Sequence, residues 1–480
     1  MSVEPINLST EALPELASRG LSVPSYDRNR LRPRIVHIGV GGFHRAHLAV
    51  YCEHLAREGS DWGIRGIGLL PGDRAMKEAL EAQDHLYTFT AKGLGEHDVE
   101  VVGSIIDFVL AADEVAPAVH AIADPETAIV SLTITEAGYS DTPGHRRTFD
   151  IICEGLDVRR RTGAGAVTIM SCDNLPGNGT VARHCTLQAA RRRSPDLEAW
   201  VASECTFPNS MVDRITPVTS DEDRDYLVGA FGLVDRWPVV GEPFWQWTLE
   251  DDFAAGRPEF DQAGAIYTED VRAWELYKLR MLNAGHSSIA YLAALGGVTL
   301  VDRAIADNRI RGYLTGLLVT EAGPTLAEIP GYPASDYAHA VIERFANPGV
   351  SDQIARLCID GTAKLETFLV PTIAQQLHRD GPIGRATLAV AGWCHYLAEM
   401  PPDRQAHDSS AEIVRPLAEN ARVDPAAFLV GNPALREVAE HPRFIESFVA
   451  SHQTIGQLGA LEAAGRLAPE TGATTSSATC

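Results

Sequence analysis

The first half of the chain alternates short apolar runs with segments of helical period. The run over residues 35–38 is typical of a strand buried on both faces of a parallel sheet. The following helical segment, 45–57, places four apolar residues on one side: Leu48, Tyr51, Cys52 and Leu55. Further apolar runs predict strands at 62–70, 100–105, 128–134 and 166–170. Alternating strands and helices predict an α/β fold with a doubly wound parallel sheet.

The pattern changes after about residue 225, where long segments rich in Ala, Leu and Arg have helical period. A chain of 480 residues is longer than one core normally serves. We therefore expect an α/β domain over residues 1–225, with an irregular arm at 1–33, and a mostly helical domain over 226–480. The small polar residues of the tail, 468–480, predict disorder.

Composition narrows the choice of partners. The chain is 45% hydrophobic and 22% charged, which is ordinary for a globular protein, and its formal charge of −23 would repel nucleic acid and anionic membranes. We find no run near the roughly 20 apolar residues of a membrane helix and no secretory signal pattern. The eight cysteines lack zinc-like spacing. We expect a cytoplasmic protein with free thiols and no metal, and a monomer, with a homo-oligomer as the alternative.

A glycine turn separates the first buried strand from the helix after it. Such a turn lets backbone N–H groups approach a dinucleotide pyrophosphate at a helix start. His44 replaces the third glycine of the usual pattern, so the alternative is a loop that merely permits close packing. The residues predicted to bind the cofactor here are Ile35, Gly39, Gly41, Gly42, Phe43 and His44.

Asp73 follows the second predicted strand, where a carboxylate can accept hydrogen bonds from the adenine ribose. Such an acid repels a 2′-phosphate and favours NAD over NADP, although Arg74 could weaken that preference. Asp73 lies further from Gly39 than the usual spacing of roughly 20 residues. The alternative interpretation is a plain turn residue in Pro71-Gly72-Asp73.

Polar residues also follow two later strands. Thr133 and Glu136 come at the end of the strand at 128–134, and Asn174 follows the strand at 166–170. Ligands of such sheets bind at the carboxyl ends of the strands, so we expect Thr133 near the cofactor and Glu136 near the nicotinamide. The Asn174 amide could donate to a substrate oxygen. Loop capping is the alternative for each of these residues.

A cluster of polar residues marks the segment WELYKLRMLNAGHSSIAYLAAL. At about 100° per residue, with Lys278 at zero, Glu275 falls near 60°, His286 near 80° and Asn283 near 140°. Such residues are poor choices for one side of an otherwise apolar helix unless they are paired. The cluster indicates a proton-transfer site. Together with the glycine turn and the polar strand ends, it indicates hydride transfer at a carbon–oxygen bond, with Lys278 moving the hydroxyl proton and the amides of Asn174 and Asn283 stabilising the alkoxide. Ordinary solvated charges at a helix end are the alternative.

Motifs along roughly residues 30–455 resemble those of the polyol-specific long-chain dehydrogenase/reductase family. They are, in chain order, IVHIGVGGFHRAH, SLTITEAGY, MSCDNLPGNG, FPNSMVDRITP, EPFWQWTLEDDF, YKLRMLNAGHS and ERFANP. The resemblance implies a Rossmann-type dinucleotide-binding domain, a helical substrate domain and a site in the cleft between them. It also implies NAD as the cofactor and no catalytic metal.

The resemblance further implies roles for individual residues. Lys278 matches the family's general acid and base, and Asn174 and Asn283 match its pair of oxyanion-stabilising amides. His286 matches the residue that orients the substrate. Glu275 and Glu136 match acidic residues near the lysine. Asp213 matches a residue that contacts the hydroxyls of the polyol.

The sequence distinguishes less well among substrates. Arg356 lies where the mannitol-oxidising members carry an arginine, whereas the turn containing Gly72 is closer to the reductases of the family. We expect oxidation of D-mannitol to D-fructose by NAD⁺. Arabinitol oxidation and the reduction of fructuronate or tagaturonate are the alternatives, since Arg356 could also bind a uronate carboxylate. A sensor that binds NAD and a sugar without turnover is a less favoured alternative, because the predicted general base is present.

Overall fold

The computed structural model describes residues 4–95, 97–142, 146–401 and 404–468, which form two compact units, Met1–Arg272 and Ala273–Cys480. This division differs from the boundary predicted at residue 225. The segment in question supplies short strands that pair with strands of the first unit, and runs of two to five residues show too little alternation to be recognised in a sequence. The tail predicted to be disordered lies, apart from Ala468, outside the described residues.

The first unit contains a parallel sheet with smaller sheets beside it. Its strands are β1 (Ile6–Asn7), β2 (Arg32–Ile38), β3 (Trp62–Gly68), β4 (Tyr87–Lys92), β5 (His97–Val102), β6 (Ile105–Leu110), β7 (Ile129–Leu132), β8 (Thr168–Ser171), β9 (Ser210–Asp213), β10 (Leu233–Val234), β11 (Val239–Gly241), β12 (Gln246–Glu250) and β13 (Ile266–Thr268). Its helices are α1 (Leu13–Ser18), α2 (Gly42–Ala46), α3 (Leu48–Arg57), α4 (Arg74–Glu81), α5 (Ala116–Ala123), α6 (Arg147–Thr162), α7 (Asn178–Arg193), α8 (Pro195–Glu204) and α9 (Asp221–Phe231).

The central sheet has the order β6-β3-β2-β7-β8, and every neighbouring pair in it is parallel. Ile35 pairs with Ile64 on one side and with Ile129 on the other. Successive residues of β2 face opposite ways, so Ile35 belongs to one apolar cluster and Val36 to another. Apolar packing on both faces confirms the predicted doubly wound parallel sheet.

Two predictions for this unit need correction. The helix predicted at 45–57 begins earlier and breaks at His47, whose backbone (φ −125°, ψ −93°) separates α2 from α3. The strand predicted at 100–105 runs across the junction between β5 and β6. β5 pairs antiparallel with β4, outside the central sheet, and β6 is one of the two edge strands of that sheet. The four predicted apolar residues of α3 are buried.

The second unit is mostly helical, as predicted. Its helices are α10 (Arg272–Tyr277), α11 (Ala284–Leu295), α12 (Val301–Ala306), α13 (Asn308–Gly316), α14 (Ala334–Phe345), α15 (Ile354–Leu357), α16 (Gly361–Lys364), α17 (Val370–His378), α18 (Gly384–Glu399), α19 (Ala411–Asn420), α20 (Pro442–Leu458) and α21 (Ala460–Leu467). One apolar core joins them, with Trp393, Phe444 and Phe448 among its largest side chains. Across the described ranges, we find no helix with both the length and the apolar character needed to cross a membrane.

The end of β2 comes unusually close to the end of β7. Gly39 has φ +94°, and a Cβ built on it would lie 2.1 Å from the carbonyl oxygen of Thr133. Any side chain at this position would therefore clash with backbone, which cannot move as a flexible side chain would. Gly41 is different, since its φ is −105° and the nearest atom to a built Cβ is the Gly39 oxygen at 3.8 Å.

Gly39→Ala should destabilise the fold by about 3 kcal/mol or more, because left-handed strain and a backbone clash add together. Gly41→Ala is the matched control and should stay within about 0.5 kcal/mol of wild type. Urea unfolding followed by circular dichroism measures both. Equal stability of the two variants would contradict the close approach at Gly39.

Candidate active site

The glycine turn follows the strand at which the order of the sheet reverses. The chain passes from β2 to β3 on one side and later returns to β7 on the other. Ligands of open parallel sheets bind outside the carboxyl ends of the strands at this switch point. A Cβ on Gly42 would meet its nearest atom, in Thr216, at 3.7 Å, so Gly41 and Gly42 leave their backbone approachable. These features fit the pyrophosphate of a dinucleotide.

Three other residues predicted to bind the cofactor make mainly packing contacts. Gly39 permits the close approach to Thr133, so the packing alternative accounts for this glycine. Ile35 is fully buried in the apolar core of the unit. Phe43 is half-buried and stacks on His47, with ring centroids 4.9 Å apart.

A buried histidine pair lies behind the turn. His37 and His44 are fully buried and stack with ring centroids 3.4 Å apart. The His37 Nδ1 lies 2.8 Å from Ser131 Oγ, and its Nε2 lies 2.9 Å from Thr133 Oγ1, whose hydroxyl donates to the Gly39 carbonyl. This network fits a neutral His37 with the proton on Nε2. Thr133 thus fastens the glycine turn to the sheet.

Burial makes protonation of this pair unfavourable. It lowers the pKa of His37 to about 3, and it lowers the pKa of His44 well below the ordinary value, with neighbouring positive groups adding to the effect. Neither ring nitrogen of His44 has a hydrogen-bond partner among the described residues. Buried polar atoms are normally satisfied, so this orphaned pair of nitrogens is a second feature that fits a bound ligand at the turn.

Asp73 lies after β3, at the predicted end of the sheet. Its Oδ2 accepts a hydrogen bond from the Leu70 N–H at 2.9 Å, in the turn that begins α4. This hydrogen bond supports the interpretation of Asp73 as a turn residue, because one carboxylate oxygen is used within the turn. A carboxylate has further lone pairs, so the contact is compatible with the predicted ribose interaction.

Asp173 fixes the loop that follows β7. Its carboxylate accepts hydrogen bonds from the Ile134 N–H at 3.0 Å, the Thr135 N–H at 2.8 Å and the Tyr139 hydroxyl at 2.7 Å. Thr135 has φ +61°, an uncommon conformation that these bonds hold in place. The predicted residues Glu136 and Asn174 flank this arrangement on exposed positions. Burial raises the pKa of the Asp173 carboxyl above its ordinary value, and these hydrogen bonds offset only part of that rise.

Asp213 ends β9, and its side chain is almost fully buried. The next residue, Arg214, donates to the Ala46 carbonyl at 2.7 Å and to the Glu242 carbonyl at 3.0 Å. Burial lowers the pKa of Arg214 to about 10. These bonds tie the end of β9 to the end of α2, so Asp213 is positioned by the same unit as the glycine turn.

In the second unit, the predicted Lys278 cluster lies on a continuous helix that changes its winding. Between α10 and α11, the segment Lys278–Asn283 is a π-helix. Hydrogen bonds of the i→i+5 type bring residues five apart closer to one line than an α-helix does. Lys278 and Asn283, the first and last residues of this turn, are five apart. The separation near 140° predicted for a regular helix is therefore wrong, and His286 is rotated towards Lys278 by the same underwinding.

These polar residues are half-buried on a helix whose neighbouring positions are mostly buried. His286 stacks on Phe345 with ring centroids 3.9 Å apart and an angle of 9° between the planes. Its Nε2 lies 3.7 Å from Oδ2 of Asp352. Asp352 in turn accepts two hydrogen bonds from the predicted substrate residue Arg356, at 2.8 and 2.6 Å. Asp352 therefore connects His286 and Arg356, two residues that the sequence predicted to act on the substrate.

Several residues of this region were missed in the sequence. Asp352 and Lys364 border Arg356, and Lys364 donates to the carbonyls of Arg356 and Leu357 at 3.3 and 3.1 Å. The spacing of Asp352 and Arg356, four apart, was the available signal, although Asp352 lies just before α15 rather than on it. His37 and Asp173 were missed as positioning residues because their partners are distant in sequence.

In the described ranges, we find no group of three or more His, Cys, Asp or Glu residues that could hold a metal ion.

Comparisons with known proteins agree with this two-part organisation. The model of the mannitol dehydrogenase Rossmann domain matches residues 33–262, and that of the mannitol dehydrogenase C-terminal domain matches residues 270–456. Mannitol 2-dehydrogenase of Aspergillus fumigatus is 39% identical over 88% of this chain and 90% of its own. That of Phaeosphaeria nodorum is 38% identical over 89% of this chain and 80% of its own.

Two solved structures are similar over nearly the whole chain. One is Pseudomonas fluorescens mannitol 2-dehydrogenase in a ternary complex with NAD and D-mannitol, at 35% identity and a TM-score of 0.83, covering 96% of this chain and 99% of the other. The second is a substrate-free D-sorbitol dehydrogenase, also at 35% identity, with a TM-score of 0.87 and coverage of 95% and 99%.

Acid should destabilise the first unit through the buried histidines. Because their pKa values are lowered in the folded state, the unfolded chain binds more protons below about pH 6.5, and stability is lost as the pH falls towards 3. Each such histidine contributes a slope of about 1.4 kcal/mol per pH unit. His44→Asn should remove about one proton from the slope measured by urea unfolding between pH 5.0 and 6.0. An unchanged slope would show that His44 titrates normally.

Proposed function

The chain belongs to the mannitol dehydrogenase family, and from that membership we propose that it oxidises D-mannitol to D-fructose. The reaction is D-mannitol + NAD⁺ → D-fructose + NADH + H⁺. The observation that supports this substrate best is that relatives named mannitol 2-dehydrogenase are 36–39% identical over 82–95% of the chain. The protein is an NAD-dependent oxidoreductase that acts on CH–OH groups. A cytoplasmic monomer remains part of the proposal.

The first unit supplies the groups that would hold the cofactor. Gly41 and Gly42 would offer backbone N–H groups to the pyrophosphate, since nothing crowds their Cα atoms. Asp73 would accept a hydrogen bond from the adenine ribose. Thr133 and His44 would hold the glycine turn in place. When bound, NAD⁺ accepts the hydride that leaves the substrate carbon.

Lys278 would take the hydroxyl proton on its Nζ during oxidation and return it during reduction. The half-buried position is suited to this task, because partial burial keeps the amine close to the substrate and away from bulk water. Asn283, brought towards Lys278 by the π-turn, and Asn174, three residues after β8, would donate amide hydrogens to the oxygen as its negative charge develops.

The remaining predicted residues would place the substrate and move the proton. His286 is held flat against Phe345, so one ring edge can donate to or accept from a substrate hydroxyl. Glu275, one turn before Lys278, and Glu136 would receive the proton from the lysine. Asp213 would accept a hydrogen bond from a polyol hydroxyl away from the reacting carbon. Arg356 would lie against the end of the polyol that is farther from that carbon.

A substrate panel tests the proposed reaction. D-Mannitol, D-sorbitol, D-arabinitol and xylitol should be compared with NAD⁺ and with NADP⁺, and D-fructuronate and D-tagaturonate with NADH. We expect the highest kcat/KM for D-mannitol with NAD⁺. D-Sorbitol is the most important competitor, because one similar structure is a D-sorbitol dehydrogenase. A faster reaction with a uronate would contradict the proposed substrate and leave the family assignment intact.

Lys278→Ala distinguishes an enzyme from a sensor that binds without turnover. Loss of a general acid and base should lower kcat by about 10²- to 10⁴-fold. NADH affinity, measured by fluorescence titration, should stay nearly unchanged because the predicted cofactor residues lie in the first unit. Lys77→Ala is the control, since Lys77 pairs with Glu81 on α4 and has no proposed catalytic role. Unchanged turnover in Lys278→Ala would exclude this mechanism.

A further inference from the structure

Asp352 occupies an unusual position between two residues of the proposed substrate site. Its side chain is 8% exposed, although the arginine that it binds is 57% exposed. Oδ1 accepts from Nε of Arg356 at 2.8 Å and Oδ2 accepts from Nη2 at 2.6 Å, which is a two-pronged pair. Oδ2 also lies 3.7 Å from Nε2 of His286.

This arrangement occupies one of the two edges through which a guanidinium can bind a carboxylate with two N–H donors. Arginine binds carboxylates best through two parallel N–H donors, and Asp352 already engages one such edge of Arg356. The positive charge of Arg356 is also neutralised where it is held. A second carboxylate at this point would meet the negative charge of Asp352, and like charges placed together oppose binding.

From these contacts we propose that Asp352 is a specificity-determining residue that makes the site select uncharged polyols and ketoses over sugar acids. The inference rests on the proposed function and on Arg356 bounding the substrate. It addresses the alternative that Arg356 binds a uronate, because the arginine belongs to an ion pair with no net charge. Building repulsion against a competitor is a general route to specificity.

The local backbone is held by contacts that do not involve the Asp352 side chain. The Asp352 carbonyl accepts from the Val301 N–H at 3.0 Å, and Ile354 donates to the Thr299 carbonyl at 2.9 Å. Lys364 holds the carbonyl of Arg356 from the other side. Asp352→Asn keeps the shape of the side chain and all of these bonds, so we expect the variant to fold.

D-Mannitol and D-mannonate form a suitable pair of probes, because they differ in one terminal carbon, which is CH₂OH in the first and a carboxylate in the second. The oxidation of D-mannonate is D-mannonate + NAD⁺ → D-fructuronate + NADH + H⁺. Asp352→Asn should raise the ratio of kcat/KM for D-mannonate to that for D-mannitol by about tenfold or more. Where D-mannonate turns over too slowly, its inhibition constant against D-mannitol gives the same comparison.

Three further variants sharpen the test. Asp352→Glu keeps the charge and should stay close to the wild-type ratio. Arg356→Gln leaves the Asp352 charge uncompensated, so D-mannonate should become a poorer substrate or inhibitor relative to D-mannitol, the opposite of Asp352→Asn. Asp380→Asn is the matched control, since Asp380 is 94% exposed and its pair with Arg443 lies at 3.3 Å on the surface.

The outcomes separate the inference from the function on which it rests. A wild-type enzyme that prefers D-mannonate overturns both. A wild-type enzyme that prefers D-mannitol, with the same ratio in Asp352→Asn, overturns the role of Asp352 alone. If thermal unfolding shows that Asp352→Asn does not fold, Asp352→Ala removes the same charge and decides, and an unchanged ratio in that variant overturns the inference.

Discussion

The backbone contact between Gly39 and Thr133 is the constraint on which the first unit depends. With the Cα of Gly39 this close to the Thr133 carbonyl, the two central strands end together and the chain leaves β2 in a left-handed turn. The Thr133 hydroxyl and His37 then fasten the turn from below. A turn fixed in this way presents the N–H groups of Gly41 and Gly42 in one arrangement, which lowers the ordering cost of binding a pyrophosphate.

In the second unit, the winding of one helix has a comparable role. In an ordinary α-helix, the spacings of five and eight residues spread Lys278, Asn283 and His286 over about 140° of the helix surface. The π-turn from Lys278 to Asn283 removes part of this spread. Its hydrogen bonds are less favourable than those of an α-helix, so the surrounding core must stabilise it. Met281 and Leu282, buried within the turn, contribute to that core.

The sequence predicted features that depend on local pattern and failed where distant contacts decide. The parallel strands β2, β3, β7 and β8 were recognisable because each contains mostly apolar residues and lies beside a turn. β10, β11 and β13 were not, since two or three residues acquire strand geometry from their partners. The glycine turn was found, but Gly39 differs from Gly41 through Thr133, 94 positions away. The π-turn escaped prediction because its residues are compatible with an ordinary α-helix.

Buried carboxylates do much of the positioning in each of the two units. Asp173 holds the loop beside Glu136 through two backbone N–H groups, and Asp352 holds Arg356 through its guanidinium. A carboxylate removed from water must be compensated, so each of these acids fixes its donors more firmly than an uncharged acceptor would. The proposed catalytic residues themselves lie half-buried or exposed, where they can reach a ligand. In each unit, therefore, buried acids hold in place the groups that the proposed functional residues depend on.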